Sequence, residues 1–212
     1  MKKIIIFIYL LIFAFSIAGC SNSSKKQETI KKETKIDNME NKKISIEEEK
    51  RKALEKKAQE GYNAFLNKKY DDAIAIEDEV LKEDPNCYTA YSVKGITLCY
   101  SHNYEEGSKY IDKALSINPN DYLARFNKAL SLELYGHYDE AIYWYKKAIE
   151  IEKGAWSYYG IASIYGRRGD VENTIKYLKL SIEIDPNVKK EAINEPDFAP
   201  VKNSKEFVNL IK

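Results

Sequence analysis

The sequence predicts an all-α chain, a short α-solenoid of about four stacked helix pairs closed by a C-terminal helix. Three observations carry this. Only five prolines and nine glycines interrupt 212 residues, which leaves room for long helices. Three segments end alike, in Glu83-Asp84-Pro85-Asn86, Ile117-Asn118-Pro119-Asn120 and Ile184-Asp185-Pro186-Asn187. Small residues recur between these endings at the same spacing, which marks a repeat array.

The period follows from the prolines. Pro85 and Pro119 lie 34 residues apart, and Pro186 lies two periods further on, less one residue. The absent proline falls at Lys153, just before Gly154. Four units result, at about 54–87, 88–121, 122–154 and 155–187. Gly61, Gly95, Ala129 and Ala162 fill an early slot. A middle slot holds Ala73, Gly107, Ala141 and Thr174, and a late one Val80, Ala114, Ala148 and Ser181. Small side chains there let two helices approach closely. Lys69-Tyr70-Asp71-Asp72, Asn103-Tyr104-Glu105-Glu106 and His137-Tyr138-Asp139-Glu140 mark a bend in mid-unit. The acidic pair after each tyrosine suits the first turn of a second helix. Proline then ends that helix. One such unit cannot bury its apolar face alone, so the units must stack.

The N-terminal residues read as an address. Met1-Lys2-Lys3 is basic, and Ile4 to Ala18 is apolar apart from Tyr9 and Ser16. This is a secretory leader layout, shorter than the roughly 20 residues of a membrane-spanning helix. Its ending, Ile17-Ala18-Gly19-Cys20, resembles a bacterial lipobox. That resemblance implies a lipoprotein signal peptide over 1–19 and a diacylglyceryl thioether on Cys20. It also implies anchoring at the extracytoplasmic face of a bacterial cell membrane, since two acyl chains hold stably where one is marginal. Residues 20–44 are polar and rich in Lys, Glu and Asn, which predicts a disordered tether. Ser45-Ile46-Glu47-Glu48 reads as a capping box that opens the folded part, 45–187.

The 34-residue helix–turn–helix pattern with small slots and a terminal proline resembles the tetratricopeptide repeat (TPR) family, over about 54–187. The resemblance implies a right-handed superhelix whose first helices line a concave, partner-binding groove. Departures are visible. The early Trp slot of the family holds Lys57, Tyr91, Arg125 and Tyr158, and the aromatic slot of the second helix holds Glu77, Ile111, Tyr145 and Leu178. Glu77 makes the first unit irregular. By the family's register the groove positions are Ala58, Tyr62, Phe65, Ser92, Cys99, Tyr100, Phe126, Leu130, Trp156, Tyr159 and Arg167. Of these, Tyr62, Phe65, Tyr100, Phe126, Trp156, Tyr159 and Arg167 are the candidate peptide-binding set. Aromatic side chains give large contact area at small rotamer cost. The Lys and Asn clamp by which some relatives grip acidic tails is missing, because its slots hold Ala58, Tyr62, Ser92 and Ile96.

The tail, 188–212, does not repeat. Glu195 to Pro200 reads as a turn, and Ser204 as the cap of a short amphipathic helix that covers the last unit.

A search for chemistry finds little. The formal net charge is +1, and loss of Lys2 and Lys3 with the leader takes it to −1. That balance gives no electrostatic footprint for nucleic acid. Cys87 and Cys99 stand 12 residues apart, about 18 Å along a helix, too far for a disulfide. They read as half-buried packing residues. His102 and His137 both fall in mid-unit bends. No HExxH, GxSxG, phosphate loop or GxGxxG is present, and Gly166-Arg167-Arg168-Gly169 is a bend between helices. The sequence therefore predicts no enzyme, cofactor, metal site or small-molecule substrate. It predicts a membrane-anchored scaffold that binds a protein or peptide partner. The rival expectation is a self-assembling structural component of the cell envelope.

Overall fold

The structure, a computed structural model, describes residues 21–212, with side chains from residue 39 onward. The predicted leader, 1–19, and Cys20 lie outside the described residues. All regular structure among the described residues is helical. The helices are α1 (Ser21–Leu66), α2 (Tyr70–Glu83), α3 (Tyr88–Tyr100), α4 (Tyr104–Ile117), α5 (Tyr122–Leu134), α6 (Tyr138–Ile149), α7 (Ala155–Arg167), α8 (Val171–Ile184), α9 (Val188–Asn194) and α10 (Lys205–Ile211). A 3-10 turn, Pro196–Phe198, separates the last two.

The chain divides into two units at Lys52 and Ala53. The first, from Ser21 on, is the N-terminal part of α1. It departs from the flexible tether expected over 20–44, since the helix already runs through this stretch. Ser45 consequently sits inside a helix and caps nothing. The physical reason lies in composition. Gly61 is the only glycine between Ser21 and Leu66, and there is no proline. Lys and Glu, which dominate, are good helix formers. Yet every residue from 39 to 53 is exposed, and Leu54 is the first to be buried.

The second unit is a solenoid of four helix pairs, the C-terminal part of α1 with α2, then α3 with α4, α5 with α6, and α7 with α8. Its punctuation follows the sequence closely. α2, α4 and α8 end one residue before an extended Asp84, Asn118 or Asp185, each followed by proline. In all three links that Asp or Asn side chain accepts from the backbone N–H two residues on, at 2.9, 3.2 and 2.9 Å. The third pair lacks the proline, and its second helix is 12 residues long where the others have 14. Mid-unit bends recur just as strictly. Lys68, His102, Gly136 and Gly169 all have φ between 60° and 81°. Two of the four positions carry a Cβ in the left-handed region, where L-residues are disfavoured.

Small residues seat each pair. A Cβ on Gly95 would lie 2.6 Å from Ile111 Cγ1, and one on Gly107 would lie 2.5 Å from the Gly95 carbonyl oxygen. Ala58, Ala73, Ala90, Ala114, Ala129, Ala141, Ala148 and Ala162 are fully buried. Neighbouring pairs are tied by polar contacts at the same period. Lys94 pairs with Asp78, and Lys128 with Asp112 at 2.8 Å. Asn127 Nδ2 donates to Ser92 Oγ at 3.0 Å, and the Tyr122 and Ser157 hydroxyls lie 3.1 Å apart.

The tail closes the array. Val188, Ala192, Phe198, Val201 and Phe207 bury against Ala155, Tyr159, Ala162, Leu178 and Ile182. Ser204 caps α10 by accepting from the Phe207 N–H at 3.2 Å. α9 is an element that the sequence did not announce. It packs Val188 and Ala192 inward within a single seven-residue helix.

Candidate functional site

The first helices of all four pairs line one cavity of about 630 Å³. Two consecutive turns of α1 bring Tyr62 and Phe65 to it, and the end of α3 brings Tyr100. Phe65 and Tyr100 meet edge to face at 5.2 Å. From α5 come Phe126 and Leu130, and from α7 Trp156, Tyr159 and Arg167. Phe126 rests on Tyr145 at 5.6 Å, and Trp156 meets Tyr159 edge-on at 5.4 Å. All seven members of the sequence-derived set therefore line one cavity. Leu66, Leu134 and Trp156 also line it while remaining 58%, 47% and 48% exposed. Those are large apolar groups without cover.

Three other positions from the same register do not line it. Ala58 and Cys99 are fully buried in the core, and Ser92 is buried where it accepts from Asn127. Adjacent first helices pack on these residues, so the register that reaches the groove in one turn reaches the helix interface in the next. Cys87 and Cys99 are free thiols and both buried, more deeply than the sequence implied. Burial pushes the Cys99 thiol up to about 11. His137 stacks on Tyr104 at 5.8 Å, while His102 is exposed on its bend. Among the described residues no three His, Cys, Asp or Glu side chains come together as a metal site.

The cavity has a polar floor that the sequence did not reveal. Tyr145 donates to Glu133 Oε2 at 2.7 Å, and Ser163 Oγ lies 3.0 Å from Glu133 Oε1. The same serine hydroxyl meets Asp197, whose other oxygen is held by Arg167 at 2.7 Å. Tyr159 donates to Glu195 at 3.4 Å. Burial pushes Glu133 up to about 6 against the hydrogen bonds from Tyr145 and Ser163. Tyr100 is pushed up to about 12, again by burial first. Glu133 is legible afterwards, since it follows Phe126 and Leu130 by seven and three residues on one helical face. Tyr145 reaches the floor because Gly160 leaves room, and a Cβ there would lie 2.3 Å from its Cζ. The tail's contribution, Glu195 and Asp197, carries no local signal.

This architecture defines a class, the α-solenoid of tetratricopeptide-type helix pairs. Two segments match sequence models described as tetratricopeptide repeat, residues 110–143 and 157–188. The second spans α7 and α8, whereas the first runs from within α4 to within α6 and so covers one period in a shifted phase. No curated protein matches the chain. Among solved structures, the chain is similar to MamA, at 18% identity over 71% of this chain and 87% of that one, with a TM-score of 0.54. It is also similar to PilF of Pseudomonas aeruginosa, at 14% identity over 76% of this chain and 68% of that one, with a TM-score of 0.60. At these identities the likeness shows the fold. Tetratricopeptide proteins are generally scaffolds for protein–protein interaction rather than enzymes.

Proposed function

We propose that this protein is a membrane-anchored scaffold that binds a segment of a partner protein in the cavity formed by the first helices. One observation carries the reading. Aromatic side chains from four successive first helices face a single cavity of about 630 Å³, and apolar groups on its wall stand exposed. A soluble domain rarely leaves such a surface without a use, and rigid aromatic groups are the usual anchors of protein recognition. Anchoring rests on the sequence Ile17-Ala18-Gly19-Cys20 after an apolar leader, with Cys20 as the lipidated residue. Among the described residues no helix is long and apolar enough to cross a membrane. Self-assembly by end-to-end stacking is disfavoured where the tail buries Phe198, Val201 and Phe207 on the last pair.

The groove is tested by Tyr62→Ala with Phe126→Ala. Partner capture is expected to be lost while the oligomeric size, measured by light scattering, stays unchanged. Retained capture would place recognition elsewhere. The anchor is tested by intact mass and membrane fractionation of wild type against Cys20→Ala. Wild type is expected in the membrane, lighter by the leader and heavier by lipid. An unprocessed or lipid-free wild type would remove the anchor from the account.

A further inference from the structure

Granting that reading of the cavity, its polar floor determines what the bound segment must carry. Protons are short there. A serine hydroxyl has one proton to donate, yet Ser163 Oγ faces two carboxylates, Glu133 Oε1 at 3.0 Å and Asp197 Oδ2. Asp197 has a cation of its own, Arg167 at 2.7 Å. Among the described residues Glu133 has none within ion-pair distance. Its only donors are the neutral hydroxyls of Tyr145 and Ser163. One carboxylate oxygen on the cavity wall is thus left facing a lone pair whenever both acids are ionised.

The charges that face this point come from four elements. Glu133 lies on α5, the Tyr145 hydroxyl on α6, and Ser163 and Arg167 on α7, while Glu195 and Asp197 belong to the 3-10 turn and its cap. Three carboxylates and one guanidinium line the cavity from these elements, which makes their side of it negative, and the other cation in the lining, Lys68, follows the end of α1. Phe126, Trp156 and Tyr159 line the cavity beside it, offering aromatic faces that favour a cation once it leaves water.

We propose that the partner segment inserts a lysine or arginine side chain, flanked by apolar residues, between these aromatic rings, where its N–H groups donate to Glu133. The basic group supplies both the missing donor and the missing charge, and its apolar neighbours cover the exposed Leu134 and Trp156. A proton can satisfy the same oxygen instead. Because burial raises the Glu133 carboxyl to about 6, the acid is ionised above that pH and neutral below it. The preference for a basic side chain is therefore present at pH 7.5 and fades as the pH falls through 6.

The test is a randomised twelve-residue peptide display library, selected on the purified full chain at pH 7.5. Synthetic versions of the enriched sequences are then measured against wild type, Glu133→Gln and Glu183→Gln. A shared basic residue between apolar positions is expected. Replacing it by glutamine should weaken binding about tenfold, as expected for a charge-assisted hydrogen bond. Glu133→Gln should remove that tenfold difference, so that the basic and glutamine peptides bind it alike at pH 7.5 and below pH 6. Glu183→Gln, on the exposed side of α8 and away from the cavity, should keep both the difference at pH 7.5 and its loss below pH 6. Enriched sequences that bind the groove without a basic residue, or a preference unchanged in Glu133→Gln, would overturn the cation site and leave the groove standing. A library that yields no groove-dependent binder would overturn the groove itself and the cation site with it.

Discussion

Glu77 gives the sharpest test of the packing. It occupies the second-helix slot that holds Ile111, Tyr145 and Leu178 in the other pairs, and like them it is fully buried. Both of its carboxyl oxygens lack a hydrogen-bond partner. Its head fills the space left by Gly61, where a Cβ would come within 2.0 Å of Oε1. Burial raises the carboxyl from 4.5 to about 9, with Asp78 adding to the effect. The sign then follows. The folded form holds a proton that the unfolded chain releases above 4.5, so stability is full below that pH and falls as pH rises toward 9. At about 1.4 kcal/mol per unit, the loss reaches about 3 kcal/mol at pH 7. Glu77→Leu, which installs the residue found at 178, removes this penalty. Its stability gain over wild type should widen by roughly 2–3 kcal/mol between pH 5 and pH 7, measured by urea denaturation of both proteins at each pH. Gly61→Ala should destabilise wild type, and should cost much less in the Glu77→Leu background. A gain from Glu77→Leu that is constant across that pH range would refute the reasoning.

Other consequences are simpler. His102 is exposed at φ 66°, so His102→Gly should raise stability by about 1 kcal/mol, read as a higher melting temperature. Gly166 touches the tail, where a Cβ would lie 2.6 Å from Phe198 Cδ1 and 2.9 Å from the Asp197 carbonyl oxygen. Gly166→Ala should cost about 1–3 kcal/mol and expose residues 188–212 to limited proteolysis. The buried Cys99 thiol, raised to about 11, should resist a thiol reagent at pH 8 until the protein is unfolded.

Much of the array was legible because its signals are local and repeated. The Asp/Asn-Pro-Asn endings stop helices by backbone chemistry that needs no tertiary context, and the small slots return every 33 or 34 residues. The groove residues were legible because one register applies to every first helix. That register also misplaced Ala58, Ser92 and Cys99, which stacked helices cover. Residues 21–44 illustrate a different limit. Their Lys and Glu content favours a helix as readily as a tether, and no apolar stripe decides between them. The floor was illegible for a third reason. Glu133, Ser163 and Asp197 come from three elements up to 64 residues apart, and only the way the tail folds back brings them together.

The central claim is that the aromatic cavity is where a partner docks. A photo-crosslinking amino acid placed at Trp156, and separately at exposed Tyr143 beside a second and smaller depression, tests it in living cells. The account predicts a discrete adduct from position 156 that disappears with Tyr62→Ala and Phe126→Ala, and none from position 143. An adduct from 143 that survives those substitutions, with none from 156, would contradict it.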